Sequence, residues 1–217
     1  MRRVVAQFAS VDWCQRVRLT RSASCEKQGR GRSRCRALVL DDPIRSESQG
    51  YEPKNIGSTG HSIGGTLAVM LPLRLLAKGE ATPGAIVSVS PWTDLTLQNA
   101  SVGENEKTDK MLSRGTLELF RAAWLQDPAV DVADPQVSLV NADLTGLPPT
   151  VVYYGEYETL ADDGARLGRL LADFKVTSEV HPMPEGQHSF ILGAGRVPEV
   201  DQSIRQMGQW LRRHLGA

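Results

Sequence analysis

The sequence predicts an α/β fold with a mainly parallel sheet flanked by helices. From Gly50 onward, short apolar runs alternate with longer amphipathic segments, and this alternation is typical of βαβ units. A chain of 217 residues is long enough for one domain with a sizeable core. Its hydrophobic content of 41% and charged content of 23% are those of a globular protein. No apolar run is long enough to predict a membrane span.

The predicted elements begin with a strand, a helix and a second strand. Residues 55–60 (NIGSTG) are predicted as a strand, although they are poorer in apolar side chains than a buried parallel strand usually is. A helix is predicted over 66–78, with Gly79 as its stop and a kink at Pro72, which lacks a backbone N–H. Residues 85–90 (AIVSVS), rich in β-branched side chains and followed by Pro91, predict a buried strand.

The second half of the chain repeats the alternation. An amphipathic pattern predicts a helix over 113–125. Residues 150–154 (TVVYY) and 177–181 are predicted strands, with a helix over 160–173 between them. A last helix is predicted over 200–215, which gives four strands and at least four helices without an internal repeat.

Charge divides the chain at residue 49. Residues 1–48 hold 11 of the 25 Lys and Arg but 5 of the 25 Asp and Glu, a net charge of +6, and residues 49–217 therefore carry −6. The first segment is dense in Arg, Ser and Gly over 21–36, with too few apolar side chains to offset the entropy lost on ordering. We predict that 1–48 is an atypical basic segment, disordered or non-native, and that 49–217 is the folded region.

Three interpretations of the 1–48 segment are open. A non-native leader is favoured over a nucleic-acid-binding arm and over a mitochondrial-type presequence, because no aromatic side chains interleave the basic ones and no amphipathic helix is predicted. The segment holds all three cysteines, Cys14, Cys25 and Cys35, in no metal-ligand spacing. No apolar stretch with a cleavage site follows the basic start. We expect unpaired thiols, no metal, no signal peptide and a cytoplasmic location.

The run TGHSIGGT (59–66) contains the pattern G-x-S-x-G between a predicted strand and a predicted helix. In a nucleophile elbow such a turn pushes the serine hydroxyl into a cleft, although the pattern also occurs in ordinary Gly/Ser turns. Gly60 and Gly64 flank Ser62 so closely that a bulky residue at either position would collide with the turn. Ser62 is therefore a candidate nucleophile.

A serine nucleophile needs a base, and four histidines are available. His188 is preferred because it follows a predicted strand by seven residues, in a loop at the carboxyl edge of the sheet. His61 is adjacent to Ser62 and cannot easily turn back to accept its proton. His181 lies within a predicted strand, and His214 is expected on an exposed helix end.

The acid that orients the base is expected after strand 150–154. Glu156, Glu158, Asp162 and Asp163 are all candidates, although the last two would serve equally as charges at a helix N-terminus. Serine, acid and histidine then follow in the chain order that serine hydrolases with a G-x-S-x-G elbow share.

From about residue 49 to the end, the chain resembles the hormone-sensitive-lipase-like family of α/β-hydrolase carboxylesterases, which includes bacterial acetyl esterases and lactone hydrolases. The family's elbow G-D-S-A-G-G is matched by GHSIGG at 60–65, its S-P-W-x-D by 90–94, and its D/E-x-L-x-D by 158–162. Its base motif, a Gly, two residues, a His, one residue and a Phe, is matched at 186–190 with the first gap shortened to one residue.

The resemblance implies an α/β-hydrolase fold and a serine carboxylesterase that hydrolyses short-chain acyl esters or lactones through an acyl-enzyme, without a cofactor. It implies Ser62 as nucleophile, His188 as base and Glu158 as acid, with Asp162 in support. The amide of Ile63 would supply one oxyanion donor. A small-molecule ester is the expected partner, with no nucleic acid and no membrane span.

The chain departs from the family upstream of the elbow. The family's H-G-G-G motif, which supplies most of its oxyanion hole, does not occur in the sequence, and the N-terminal strands are missing or atypical. The alternative is therefore a truncated, weakly active or inactive homologue. A homodimer would be one way to cover the sheet edge left by missing strands.

Overall fold

The computed structural model describes residues 52–127 and 129–215, in which four strands form one sheet. The strands are β1 (Gly57–His61), β2 (Ala85–Val89), β3 (Thr150–Gly155) and β4 (Ser178–Met183). They lie in the order β1-β2-β3-β4, and each neighbouring pair is parallel. The helices are α1 (Ile63–Ala77), α2 (Ser101–Glu104), α3 (Arg114–Trp124), α4 (Ala161–Asp173) and α5 (Pro198–Leu215). The predicted α/β class is confirmed, and the predicted segment 1–48 with its cysteines lies outside the described residues.

Helices cover both faces of the sheet, because successive side chains of a strand point to opposite faces. Ile86 and Val152 pack with α1 and α4, whereas Val87, Val151 and Tyr153 pack against α5. Parallel strands need this two-sided burial. The carboxyl ends of all four strands are therefore left at one edge, between the helix layers.

A third apolar cluster covers that edge. It joins the loop after β2 to α2, α3, the first residue of α1 and the residue that precedes α4. Its main members are Trp92, Leu95, Val102, Leu117 and Leu160. Helices α1 and α4 begin shortly after β1 and β3 end. By packing against the starts of these helices, the cluster holds the segment between β2 and β3 over the carboxyl ends of the strands.

The low apolar content of β1 follows from close packing. A Cβ atom at Gly57 would lie 2.8 Å from Cδ2 of Leu211 in α5, so the helix approaches the strand at a distance that only glycine allows. On the strand's other side, the hydroxyl of Ser58 donates to the carbonyl of Ala68 in α1 at 2.9 Å. Small residues in β1 thus bring two helices close to the sheet.

Helix α1 begins at Ile63, three residues before the predicted start, and contains Pro72. The proline cannot donate to the carbonyl four residues earlier, which is that of Ala68. Ser58 supplies the missing donor. The short helix α2 was not predicted, because four residues are too few to show a helical period. No helix within 52–127 and 129–215 has both the length and the apolar character of a membrane span.

Candidate active site

Ser62 lies in the sharp turn between β1 and α1. Its backbone angles are φ 57° and ψ −129°, a combination that residues with side chains rarely adopt. Its N–H donates to the carbonyl of Val89 in β2 at 2.9 Å. A Cβ atom at Gly60 would overlap the backbone carbonyl of Gly64, so the turn closes only with glycine at position 60. Strain and close approach together form the geometry of a nucleophile elbow.

Two side-chain hydrogen bonds fasten the elbow to the neighbouring strand. Thr66 in the first turn of α1 donates from Oγ1 to the carbonyl of Trp92. Ser88 in β2 donates from Oγ to the carbonyl of Gly65 at 3.0 Å. All of these groups are buried, so the start of α1 is fixed to β2 and to the loop that follows it.

The imidazole of His188 lies beside the serine hydroxyl. Its Nε2 is 3.0 Å from Oγ of Ser62, and the two residues are 126 positions apart in the chain. The loop after β4 that brings the ring there contains two residues with positive φ, Glu185 at 55° and Ser189 at 63°. The side chains of Ser62 and His188 are both buried. The sequence predicted this pairing, and the fold brings the two groups into hydrogen-bond contact.

Glu158 faces the other nitrogen of the same ring. Its Oε2 lies 3.3 Å from Nδ1 of His188, and the Glu158 side chain has no exposed surface. The orientation of the pair is not that of a hydrogen bond, and neither the two Glu158 oxygens nor Nδ1 of His188 have a hydrogen-bond partner among the described residues. The tautomer with its proton on Nδ1 would turn a donor toward the buried Glu158 side chain and leave Nε2 as an acceptor for the Ser62 proton.

His61 also borders this site. Its ring centroid lies 5.0 Å from that of His188, and its side chain is buried. Burial, and to a smaller extent the charge of His188, lowers the pKa of His61 to about 3. The ring is therefore neutral near pH 7, and it contributes packing surface to His188.

The other two histidines lie outside the site. His181 in β4 stacks on Tyr153 at 4.7 Å and pairs with Glu179 at 3.1 Å. His214 was expected to be exposed, and this was wrong, because its ring is half-buried against Trp210 at 4.3 Å. The last turn of α5 packs against the sheet, where Leu215 is buried.

The candidate oxyanion donor is the amide of Ile63. This residue is the first of α1, and the first amides of a helix have no acceptor within the helix. The positive end of the helix dipole adds to the attraction for an anion at this point. The role of Ile63 stays a prediction, as do the supporting roles of Gly60 and Gly64.

The two carboxylates offered as helix-end charges, Asp162 and Asp163, lie in the first turn of α4, and both also bind groups outside that helix. Oδ2 of Asp162 accepts from the amide of Ser101 at 2.9 Å, at the start of α2. Asp163, which the sequence presented as a helix-end charge, is 1% exposed. It accepts from the amides of Thr93 at 2.7 Å and Asp94 at 2.8 Å, and from Nδ2 of Asn99 at 2.8 Å. Burial raises its pKa to about 7, against the effect of these bonds.

The hydroxyl, the imidazole and the carboxyl side chain lie in one buried row. In this arrangement the imidazole would be placed to take the serine proton and the carboxyl group to stabilise the resulting imidazolium, which is the chemistry of a serine nucleophile. Within the described ranges, no group of three or more His, Cys, Asp and Glu side chains could hold a metal ion.

A protein-family model described as alpha/beta hydrolase fold matches residues 13–192. The match begins upstream of residue 49, where charge and composition predict a boundary, and that boundary stays a prediction. The matched range includes the elbow, the Glu158 loop and the His188 loop.

Curated relatives and solved structures agree with this match. An esterase of Acinetobacter venetianus is 42% identical over 165 residues, which cover 75% of this chain and 53% of the relative. Esterase LipU of Mycobacterium tuberculosis is 32% identical over 171 residues, covering 77% of this chain and 57% of the relative. The crystal structure of an esterase from the bacterial hormone-sensitive lipase family has a TM-score of 0.74 at 31% identity, covering 78% of this chain and 56% of the other. The chain spans about half the length of the curated relatives that it matches.

Proposed function

The chain belongs to the α/β-hydrolase family, and from this premise we propose that it is a serine carboxylesterase that hydrolyses short-chain acyl esters or lactones through an acyl-enzyme. The observation that carries the proposal is the 3.0 Å contact between Oγ of Ser62 and Nε2 of His188. The esterase names of its relatives support the choice of a carboxylic ester as substrate.

The first half of the proposed reaction forms the acyl-enzyme. Oγ of Ser62 attacks the ester carbonyl carbon while Nε2 of His188 takes the hydroxyl proton. Glu158 keeps Nδ1 of the ring protonated and stabilises the positive charge. The carbonyl oxygen becomes an oxyanion near the amide of Ile63, and collapse of the intermediate breaks the ester bond. The leaving alcohol takes the proton from His188.

The second half releases the acid. A water molecule gives its proton to His188 and attacks the acyl carbon, and the collapse of the second intermediate returns the proton to Oγ of Ser62. The carboxylic acid then departs. Neither half requires an electron carrier or a group other than water and the named side chains.

Turnover depends on how completely the oxyanion is bound. The sequence contains no HGG tripeptide, and Ile63 is the one donor that the elbow itself supplies. Loss of a single oxyanion donor lowers turnover by about 10²–10³-fold. A weakly active or inactive homologue is therefore the competing outcome of the same test.

The test is hydrolysis of p-nitrophenyl acetate and butyrate by the wild type, by Ser62→Ala and by a matched serine control. The control is Ser203→Ala, because Ser203 is also buried but its hydroxyl bonds to the carbonyl of Glu199 in α5. We expect Ser62→Ala to lower kcat by at least about 10³-fold, with the control unchanged. Equal rates for the wild type and Ser62→Ala would contradict the mechanism. Labelling of Ser62 by a fluorophosphonate without ester turnover would support the inactive homologue.

We also propose a cytoplasmic location and a homodimer, with no nucleic-acid partner. A cytoplasmic location, a homodimer and the absence of a nucleic-acid partner are each separable from the esterase proposal.

A further inference from the structure

The backbone that carries Glu158 is held by side chains from one turn, residues 105–109, between α2 and α3. Nδ2 of Asn105 donates to the carbonyl of Glu156 at 3.0 Å and to that of Glu158 at 2.9 Å. Oγ1 of Thr108 shares its one proton between the carbonyl that lies between these two, that of Tyr157 at 3.1 Å, and the carbonyl of Asn105 at 3.0 Å. Three consecutive carbonyls are thus bound by two side chains of the 105–109 turn.

Asp109 holds the next residue of the same loop. Its Oδ2 accepts from the backbone N–H of Thr159 at 2.8 Å and from the Thr159 hydroxyl at 3.2 Å. Its Oδ1 accepts from the amides of Met111 at 2.8 Å and Leu112 at 3.1 Å. The side chain is 5% exposed, so this carboxylate is a buried bridge between the start of the α3 segment and the residue that follows Glu158.

The loops of the acid and the base are also joined to each other. The amide of Tyr157 donates to the carbonyl of Gly186 at 2.8 Å. The amide of Lys110 donates to Oε1 of Gln187 at 3.3 Å, and Gln187 directly precedes His188 in the chain. A shift of the 105–109 turn would therefore move both loops.

We propose that Asp109 is a positioning residue that sets the distance between Glu158 and His188. The Glu158 side chain makes no hydrogen bond among the described residues, and its side-chain partner there is Nδ1 of His188 at 3.3 Å, the contact whose length is to be set. Its position depends on its backbone, and Asp109 binds that backbone one residue away. The proposal rests on the proposed function in giving Glu158 the role of the acid.

Asp109→Asn tests the bridge with a change of one atom. The asparagine side chain retains one oxygen acceptor. Its NH₂ group must face either the Thr159 donors or the amides of Met111 and Leu112, and it cannot accept from them. Asp143→Asn is the matched control, because Asp143 is exposed and its Oδ1 accepts from the amide of Thr145 at 2.8 Å in a turn that does not touch the site. We expect Asp109→Asn to lower kcat by about 10–100-fold with little change in KM, since small misplacements of reacting groups have effects of this size. Asp143→Asn is expected to leave both constants unchanged.

A double-mutant cycle separates positioning from general loss of structure. If Asp109 acts through Glu158, then Asp109→Asn lowers the rate by less than about 3-fold in a Glu158→Gln background. The rate of phosphonylation of Ser62 by a fluorophosphonate gives a second readout that does not require ester turnover. An equal fold-loss in both backgrounds would overturn the proposal.

The outcomes distinguish this proposal from the esterase proposal. Slow labelling of Asp109→Asn in a protein without ester turnover supports positioning and contradicts the esterase. Normal labelling and turnover of Asp109→Asn overturns positioning and leaves the esterase intact. If wild-type Ser62 is not labelled at all, both proposals fail. Should Asp109→Asn not fold, Thr159→Val replaces it in the same cycle, because it removes the hydroxyl that bonds to Oδ2 of Asp109 and leaves the carboxylate in place.

Discussion

The rings of His61 and His188 lie 5.0 Å apart and are tilted by 38° to each other, so two imidazoles share the buried space beside Ser62. In the proposed reaction, His188 becomes positively charged when it takes the serine proton. A charged neighbour at this distance would oppose that step. The neutral state of His61, whose pKa burial lowers to about 3, removes this opposition.

His61 makes the fold sensitive to acid. Its pKa is lowered from 6.5 in the unfolded chain to about 3 in the folded protein, so below pH 6.5 the unfolded state binds more protons than the folded state. Stability is therefore lost as the pH falls from 6.5 toward 3. At pH 5 the loss is about 2 kcal/mol relative to pH 7.5. Urea unfolding of the wild type and of His61→Gln should show this extra loss in the wild type, whereas parallel pH dependences would contradict it.

Asp163 acts in the opposite direction. Burial raises its pKa from 3.8 to about 7, so the folded state binds the additional proton between these values. The contribution of Asp163 to stability is present below pH 3.8 and is lost as the pH rises through 7. Relative to Asp163→Asn, the wild type should gain about 3 kcal/mol between pH 8 and pH 5. The measurement is the difference in unfolding free energy between the wild type and Asp163→Asn as a function of pH. The pH-independent cost of the substitution does not affect how this difference changes, and a difference that stays constant with pH would contradict the raised pKa of Asp163.

The sequence singled out groups that follow strands directly. Ser62 and His188 lie within a few residues of a strand end, so local pattern and chain order paired them, whereas four carboxylates after strand 150–154 remained and only the family resemblance selected Glu158. Asp109 was not singled out, and the buried acceptor role of Asp163 was not predicted, because the Thr159 and Thr93 amides that they bind lie 50 and 70 positions away in the chain. In the sequence each is one carboxylate among many, and only the packing of the 91–112 segment over the strand ends makes it a buried acceptor.

Gly60→Ala should disable the elbow without a change in any functional group. The added Cβ atom would overlap the carbonyl of Gly64, and because this obstacle is backbone, the turn itself must move. We expect kcat to fall by at least about 10²-fold, since Ser62 leaves its position against His188. Gly103→Ala is the control, because a Cβ atom there meets nothing within 4 Å. Equal kcat values for Gly60→Ala and the control would show that the turn tolerates the shift.

The hydrogen bond from Ser58 to the Ala68 carbonyl predicts an energetic coupling between Ser58 and Pro72, which do not bond to each other. The Ser58 hydroxyl donates to the Ala68 carbonyl at 2.9 Å, which Pro72 cannot reach because it has no N–H. Ser58→Ala leaves this carbonyl, in a buried residue, without its donor, and we expect a loss of about 1–2 kcal/mol in the free energy of unfolding.

Pro72→Ala should remove most of that cost, because the new backbone N–H lies one helical turn from the Ala68 carbonyl and can donate to it. In the Pro72→Ala background, Ser58→Ala should therefore cost less than about 0.5 kcal/mol, and the difference between the two backgrounds is the coupling energy. Urea unfolding of the four proteins measures it. If Ser58→Ala costs the same in both backgrounds, Ser58 does not substitute for the donor that the proline lacks. If the coupling appears, the hydrogen bond between β1 and α1 compensates for the donor that Pro72 lacks. This explains why the polar residue Ser58 lies in a buried parallel strand, where an apolar residue is usual.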